Sequence, residues 1–115
     1  MKYGNDPAAL GLSMMDYRGK SVAVTGAASG IGRCVSELLV ALGANVTLLD
    51  LNEARCTEAR DEINGAGYSG SASAQSLDVT DRTRCLDVFA AISSAQGAFD
   101  GLVTCAGIVK PATDG

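Results

Sequence analysis

Ser21-Val22-Ala23-Val24-Thr25-Gly26-Ala27-Ala28-Ser29-Gly30-Ile31-Gly32 is the stretch on which the fold turns. It begins with a short apolar run, Ser21 to Val24, of the kind that forms a strand buried on both faces in a parallel sheet. A glycine-rich turn follows and opens into a long segment of helical periodicity. Strand, glycine turn and helix together are the setting in which closely spaced glycines imply phosphate binding. Gly26 permits a turn that a side chain would obstruct, Gly30 lets backbone approach a pyrophosphate, and Gly32 lets the helix pack closely on its strand. The first N–H groups of that helix lack internal partners and sit at the positive end of its dipole, so an anion suits them. The alternative is a plain strand–helix turn that happens to be rich in glycine.

The periodicity predicts a first helix over Ser29–Leu42, with Ile31, Val35, Leu38, Leu39 and Leu42 as its apolar face and Gly43 as its stop. A second strand runs from Asn45 to Leu49 and ends at Asp50. Asp50 lies 24 residues after Gly26, close to the offset of about 20 at which dinucleotide-binding folds place the acid that accepts the adenosine ribose hydroxyls. Its charge would repel a 2′-phosphate. Capping of the next helix by Asp50 or Asn52 is the alternative, and both roles are compatible if Asn52 is the cap. That helix, Asn52–Asn64, is polar, with Ala59 and Ile63 on its inner side. Gly65-Ala66-Gly67-Tyr68-Ser69-Gly70 is a literal G-x-G-x-x-G, but it follows a helix and precedes a Ser/Ala-rich segment. With its context reversed it reads as a helix stop and a flexible connection. A third strand is expected over Ala72–Leu77, then Asp78-Val79. A third helix follows over Asp81–Ala95, with Cys85, Leu86, Phe89 and Ile92 on one side. A fourth strand, Gly101–Cys105, leads to Ala106-Gly107. Gly19-Lys20-Ser21 imitates the end of a Walker A loop. Met14 stands where that motif needs glycine, and a strand rather than a helix follows, so the match is discarded.

The pattern Thr25-Gly26-x-x-x-Gly30-x-Gly32 resembles the cofactor loop of the short-chain dehydrogenases/reductases of the classical type. The resemblance covers about residues 19–109. It implies that Gly26, Ser29, Gly30, Ile31 and Gly32 hold the pyrophosphate and that Asp50 holds the ribose. By the same resemblance the Asp78 carboxylate and the Val79 backbone contact adenine, capping by Asp78 or Thr80 being the alternative. Where the family has Asn-Asn-Ala-Gly this chain has Thr104-Cys105-Ala106-Gly107, so Ala106 and Gly107 match and Cys105 replaces an amide with a thiol. NAD is the implied cofactor rather than NADP, because Asp50 is acidic and Ser29 stands where NADP-preferring relatives carry a basic residue. The implied partners are the dinucleotide and, in the complete protein, an alcohol or ketone substrate. A homo-oligomer is implied as well.

Alternation of strand and helix, with right-handed crossovers, gives an α/β fold: the first half of a Rossmann-type doubly wound parallel sheet, order 3-2-1-4. Residues 1–18 are expected as a loose leader and 19–115 as the NAD-binding portion. The family's catalytic Tyr-x-x-x-Lys is missing. Tyr3, Tyr17 and Tyr68 are followed four places on by Pro7, Ser21 and Ala72. No catalytic residue is therefore assigned within this chain. The expectation is the cofactor-binding portion of an oxidoreductase, the alternative a non-catalytic dinucleotide-binding or regulatory module.

Composition narrows the classes further. At 115 residues and 47% hydrophobic content the chain can bury a real core. Its net charge of −4 argues against a nucleic-acid surface, and no apolar run approaches the ~20 residues of a membrane span. Cys34, Cys56, Cys85 and Cys105 form no C-x-x-C pair and histidine is absent, so no metal site is expected. Reduced thiols and the lack of a signal-like apolar segment point to the cytoplasm.

Overall fold

The structure, a computed structural model, describes residues 16–96 and 100–105. Seven elements alternate: β1 (Ser21–Thr25), α1 (Gly30–Ala41), β2 (Asn45–Asp50), α2 (Glu53–Gly65), β3 (Ser71–Ser76), α3 (Arg82–Gln96) and β4 (Gly101–Thr104). The strands form one sheet in the order β3-β2-β1-β4, and every pairing is parallel. The expected order and element sequence are thus observed. Val22 pairs with Val46 on one side and with Gly101 on the other. Parallel registry puts the carboxyl ends of all four strands on one edge, where Thr25, Asp50, Ser76 and Thr104 end their strands.

The core lies on both sides of the sheet, as strand alternation requires. Val22, Val24, Val46, Leu48 and Ala72 face α1 and α2 and pack with Val40, Cys56, Ala59 and Ile63. Ala23, Leu49 and Leu77 face the other way, under Val88, Cys85, Phe89 and Ile92 of α3. At the opposite edge, the Ser21 N–H donates to the Asp100 carboxylate at 2.7 Å and the Asp100 N–H returns a bond to the Ser21 carbonyl at 2.8 Å. This reciprocal pair sets the start of β4 beside β1. Tyr17, at the end of the stretch expected as a leader, packs on the core and donates its N–H to the Leu42 carbonyl.

Two helix faces differ from the periodicity. Ile31 is 76% exposed, and the buried line of α1 runs through Gly32, Ser36 and Val40. The cause is the closeness of α1 to the turn: a Cβ at Gly32 would collide with the Gly26 carbonyl oxygen, so only small residues fit beneath that end of the helix. In α3 Leu86 faces solvent and Val88 is the buried residue. The connection after α2 is not a loose one either. Tyr68 is buried within it, the Gly70 N–H donates to the Val40 carbonyl at 3.0 Å, and a Cβ at Gly70 would collide with the Ala44 carbonyl oxygen. Asn52 caps α2 by accepting the Arg55 N–H at 3.0 Å. Asp81, rather than Asp78 or Thr80, caps α3 by accepting the Arg84 N–H at 3.1 Å.

Candidate functional site

The turn from β1 to α1 is bracketed by two left-handed glycines, Gly26 at φ +66° and Gly30 at φ +60°. They differ in surroundings. A Cβ on Gly30 would meet nothing within 4 Å, whereas Gly32 is closed against the Gly26 carbonyl. The loop therefore has a tight base and an open top. Ser29 occupies the N-cap position of α1 in an extended conformation, yet its side chain makes no cap hydrogen bond, and no acid stands in the first turn. The leading amides of α1 thus keep their capacity to receive an anion.

Asp50 reaches this loop from the end of β2. Its Oδ2 accepts the Ala28 N–H at 3.0 Å and its Oδ1 accepts the Asn52 N–H at 3.2 Å. Each carboxylate oxygen retains a lone pair for a further donor. Asp78 stands on the same edge after β3. Its Oδ1 accepts both the Thr80 hydroxyl at 2.6 Å and the Thr80 N–H at 2.9 Å. The hydroxyl bond first, and the N–H second, hold the Asp78 carboxyl below its ordinary range, so it stands as an anion there. The Leu77 N–H donates to the Asp50 carbonyl at 2.9 Å, which ties the ends of β3 and β2 together.

Three of the large apolar side chains that the fold leaves in solvent flank these groups: Ile31 at 76%, Leu51 at 69% and Val79 at 47% exposure. Exposed aliphatic groups beside converging acids and amides are the makings of a site for a flat, partly apolar ligand. Leu51 was not among the expected site residues; its position directly after Asp50 was the signal. On the β4 side the Cys105 N–H donates to the Thr25 carbonyl at 3.1 Å. The strand end is braced there through backbone, whichever side chain residue 105 carries. Beside it the Thr25 hydroxyl is buried and has no hydrogen-bond partner among the described residues. Ala106 and Gly107, also expected in the site, lie outside the described residues. No group of three or more His, Cys, Asp or Glu side chains among the described residues could hold a metal ion.

A strand–loop–helix with an open glycine, an acid at the end of the next strand and an apolar rim fits a dinucleotide. The comparisons with known proteins lead to the same place. The family model described as short chain dehydrogenase matches residues 20–114. A short chain dehydrogenase/reductase of Macrophomina phaseolina is 37% identical over 91 residues, which cover 79% of this chain and 51% of that protein. A 2,5-dichloro-2,5-cyclohexadiene-1,4-diol dehydrogenase of Sphingobium indicum is 40% identical over 89 residues, 77% of this chain and 32% of that protein. The chain thus spans about half the length of the first of these relatives and about a third of the second. Among solved structures, a short-chain type dehydrogenase/reductase from Mycobacterium ulcerans superposes with a TM-score of 0.79 at 29% identity, over 83% of this chain and 35% of that one. A candidate D-mannonate oxidoreductase from Haemophilus influenza with bound NAD superposes with a TM-score of 0.77 at 28% identity, over 86% of this chain and 35% of that one. With the family model matching most of the chain and the parallel 3-2-1-4 sheet carrying its glycine loop at the carboxyl edge, the chain belongs to the short-chain dehydrogenase/reductase family of oxidoreductases.

Proposed function

We propose that this chain binds NAD(H) along the carboxyl edge of its sheet, as the cofactor-binding portion of an oxidoreductase acting on an alcohol or ketone. The observation that carries the reading is the loop from Gly26 to Gly32, open above Gly30 and closed beneath Gly32, with the Asp50 carboxylate set against it at Ala28. In this reading the amides from Ser29 to Gly32 receive the pyrophosphate and Ile31 shields it from water. Asp50 accepts the ribose hydroxyls with its remaining lone pairs. Asp78 accepts the exocyclic amine of adenine, with Leu51 and Val79 against the ring. The family resemblance assigns Cys105, Ala106 and Gly107 to the nicotinamide ribose. The nicotinamide supplies the hydride chemistry when bound; the residues named here only bind and orient it. The diol dehydrogenases among the relatives support the alcohol/ketone class. Residues 19–115 form the binding portion in this reading, and a cytoplasmic homo-oligomer is the form proposed for the whole protein.

Asp50 also decides the choice of cofactor. A carboxylate beside the ribose repels a 2′-phosphate, and no basic residue replaces it at Ser29 or Leu51. Titration of the protein with NADH and with NADPH, followed by cofactor fluorescence, should give tighter binding of NADH by about tenfold or more. Equal or tighter binding of NADPH would remove Asp50 from the ribose. The second reading is a dinucleotide-binding module without catalysis, in keeping with the lack of any Tyr-x-x-x-Lys in these 115 residues. NADH binding with no turnover in the whole protein would select it.

A further inference from the structure

We infer that Asp50 is a positioning residue for the phosphate loop as well as the ribose acid of the reading above, and that the loop is latched to β2 before any cofactor arrives. Little else holds the loop. Between the left-handed Gly26 and Gly30 the chain has three residues, Ala27, Ala28 and Ser29. None of them offers a side-chain hydrogen bond that fixes the turn, since Ser29 makes no cap bond. Two successive amides do the fixing. The Ala27 N–H donates to the Leu49 carbonyl at 3.2 Å, and the Ala28 N–H donates to Asp50 Oδ2 at 3.0 Å. The first continues the ladder between β1 and β2; the second extends it by one step, with a side chain standing in for a strand carbonyl. Asp50 is itself oriented by the Asn52 N–H on its other oxygen, at 3.2 Å. The carboxylate thus lies between two amides, one from the loop and one from its own turn.

An ionised acceptor suits this position, because a bond from an amide to a carboxylate is stronger than one to a neutral carbonyl. The consequence is that removal of Asp50 has two effects that a pure ribose contact would not combine. It deletes the repulsion of a 2′-phosphate, and it frees the loop on which either cofactor's pyrophosphate would rest. Asp50→Ala should therefore lower the affinity for NADH and NADPH together, besides narrowing the difference between them. Asp50→Asn keeps an oxygen able to accept the Ala28 N–H and so should keep the loop.

Amide hydrogen exchange in the ligand-free full-length protein, followed by NMR, tests the latch without reference to cofactor. In the wild type the Ala28 amide should exchange about tenfold or more slowly, after correction for intrinsic rates, than the Ser29 amide. In Asp50→Ala the Ala28 amide should accelerate by about tenfold or more while Leu48 in β2 keeps its protection. In Asp50→Asn it should stay within about threefold of wild type. Ala28 exchange in Asp50→Ala within about twofold of wild type, or equally fast in the Ala and Asn variants, overturns the inference. Should Asp50→Ala fail to fold, the wild-type ratio and the Asn variant decide: an Ala28 amide as fast as Ser29 in the wild type, or fully released in Asp50→Asn, also overturns it. A loop that loosens as expected in a protein that binds no dinucleotide leaves the latch standing and removes the cofactor reading instead.

Discussion

At Gly32 a single added methyl group would run into the Gly26 carbonyl oxygen, whereas two residues earlier the same group at Gly30 would meet open space. The two glycines thus have different reasons to be glycine, and substitution separates them. Gly32→Ala has to push α1 off β1, so it should destabilise the protein as an overpacked site does, by about 1–3 kcal/mol, and lower the melting temperature. Gly30→Val should cost mainly the strain of a left-handed backbone, about 1–2 kcal/mol, and should abolish NADH binding because the branched side chain fills the place proposed for the pyrophosphate. Thermal melting and an NADH titration on both variants check this. A folded Gly30→Val that binds NADH as wild type does would remove the loop from the phosphates. Cys56 gives a second residue-scale test. It is fully buried, its Sγ lies 3.1 Å from the Leu48 carbonyl, and burial pushes its thiol pKa above the ordinary 9.0. A group whose acid form is favoured by folding stabilises the protein below its unfolded pKa and loses that contribution as pH rises. Stability should therefore fall as pH rises above about 9, and Cys56→Ser should flatten that fall. Iodoacetamide should modify the exposed Cys34 in the native protein and Cys56 only on unfolding.

The helices show what periodicity can and cannot carry. Their existence and bounds were legible: α1 was expected over Ser29–Leu42 and spans Gly30–Ala41, and α2 was expected over Asn52–Asn64 and spans Glu53–Gly65. The face that α1 buries was not, because an apolar stripe records composition, while the close approach at Gly32 selects Gly32, Ser36 and Val40 by size. Ser36 is tolerated there because its hydroxyl donates back to the Gly32 carbonyl at 2.7 Å. Nor could the sequence disclose the contact between α1 and the segment after α2, which is 31 residues away along the chain: the Tyr68 hydroxyl donates to Glu37 Oε2 at 2.7 Å, Arg33 pairs with Glu37 at 3.2 Å, and its other nitrogen pairs with Glu62 at 2.9 Å. Glu37 is almost wholly buried, so its partners matter more than those of a surface pair. Tyr68→Phe leaves a buried carboxylate short of one donor and should destabilise the protein by about 1–3 kcal/mol. Chemical denaturation should report it as a lower midpoint with unchanged slope. Lys at position 37 should be worse than Gln, since Gln still offers an oxygen to the Tyr68 hydroxyl. The second glycine motif, discarded as a phosphate loop, thereby acquires a purpose: Gly70 fits under the end of α1 and Tyr68 locks to it.

Across the whole molecule the two faces of the sheet are unequally covered. The face toward α1 and α2 holds the larger apolar cluster, while α3 covers Ala23, Leu49 and Leu77. Leu102 of β4 pairs with Ala23 and so shares the α3 face, yet it is 55% exposed, and Leu86 of α3 is 63% exposed. The strand order and the edge that collects Gly30, Asp50 and Asp78 were legible because alternation and right-handed crossovers leave few other sheets. Coverage of the β4 side was not, since it depends on tertiary packing. The family's chemistry needs a tyrosine whose hydroxyl moves a proton at the substrate beside the nicotinamide, assisted by a lysine four residues on. Of the tyrosines among the described residues, Tyr68 is buried against Glu37 on the α1–α2 side, and Tyr17 packs on the core with its N–H on the Leu42 carbonyl. Neither stands at the carboxyl edge of the sheet, and no tyrosine in the sequence has a lysine at the fourth following place. The 115-residue chain, expressed alone and purified, should therefore leave NADH absorbance unchanged with a panel of ketones and aldehydes, and NAD unchanged with alcohols and diols. Static light scattering on the same sample should find it self-associated through the exposed Leu86 and Leu102, with Leu102→Thr reducing the effect. Turnover well above a no-protein control, persisting when Tyr3, Tyr17 and Tyr68 are all replaced by Phe, would show a proton donor other than tyrosine and would overturn the reading that no catalytic residue lies within these 115 residues.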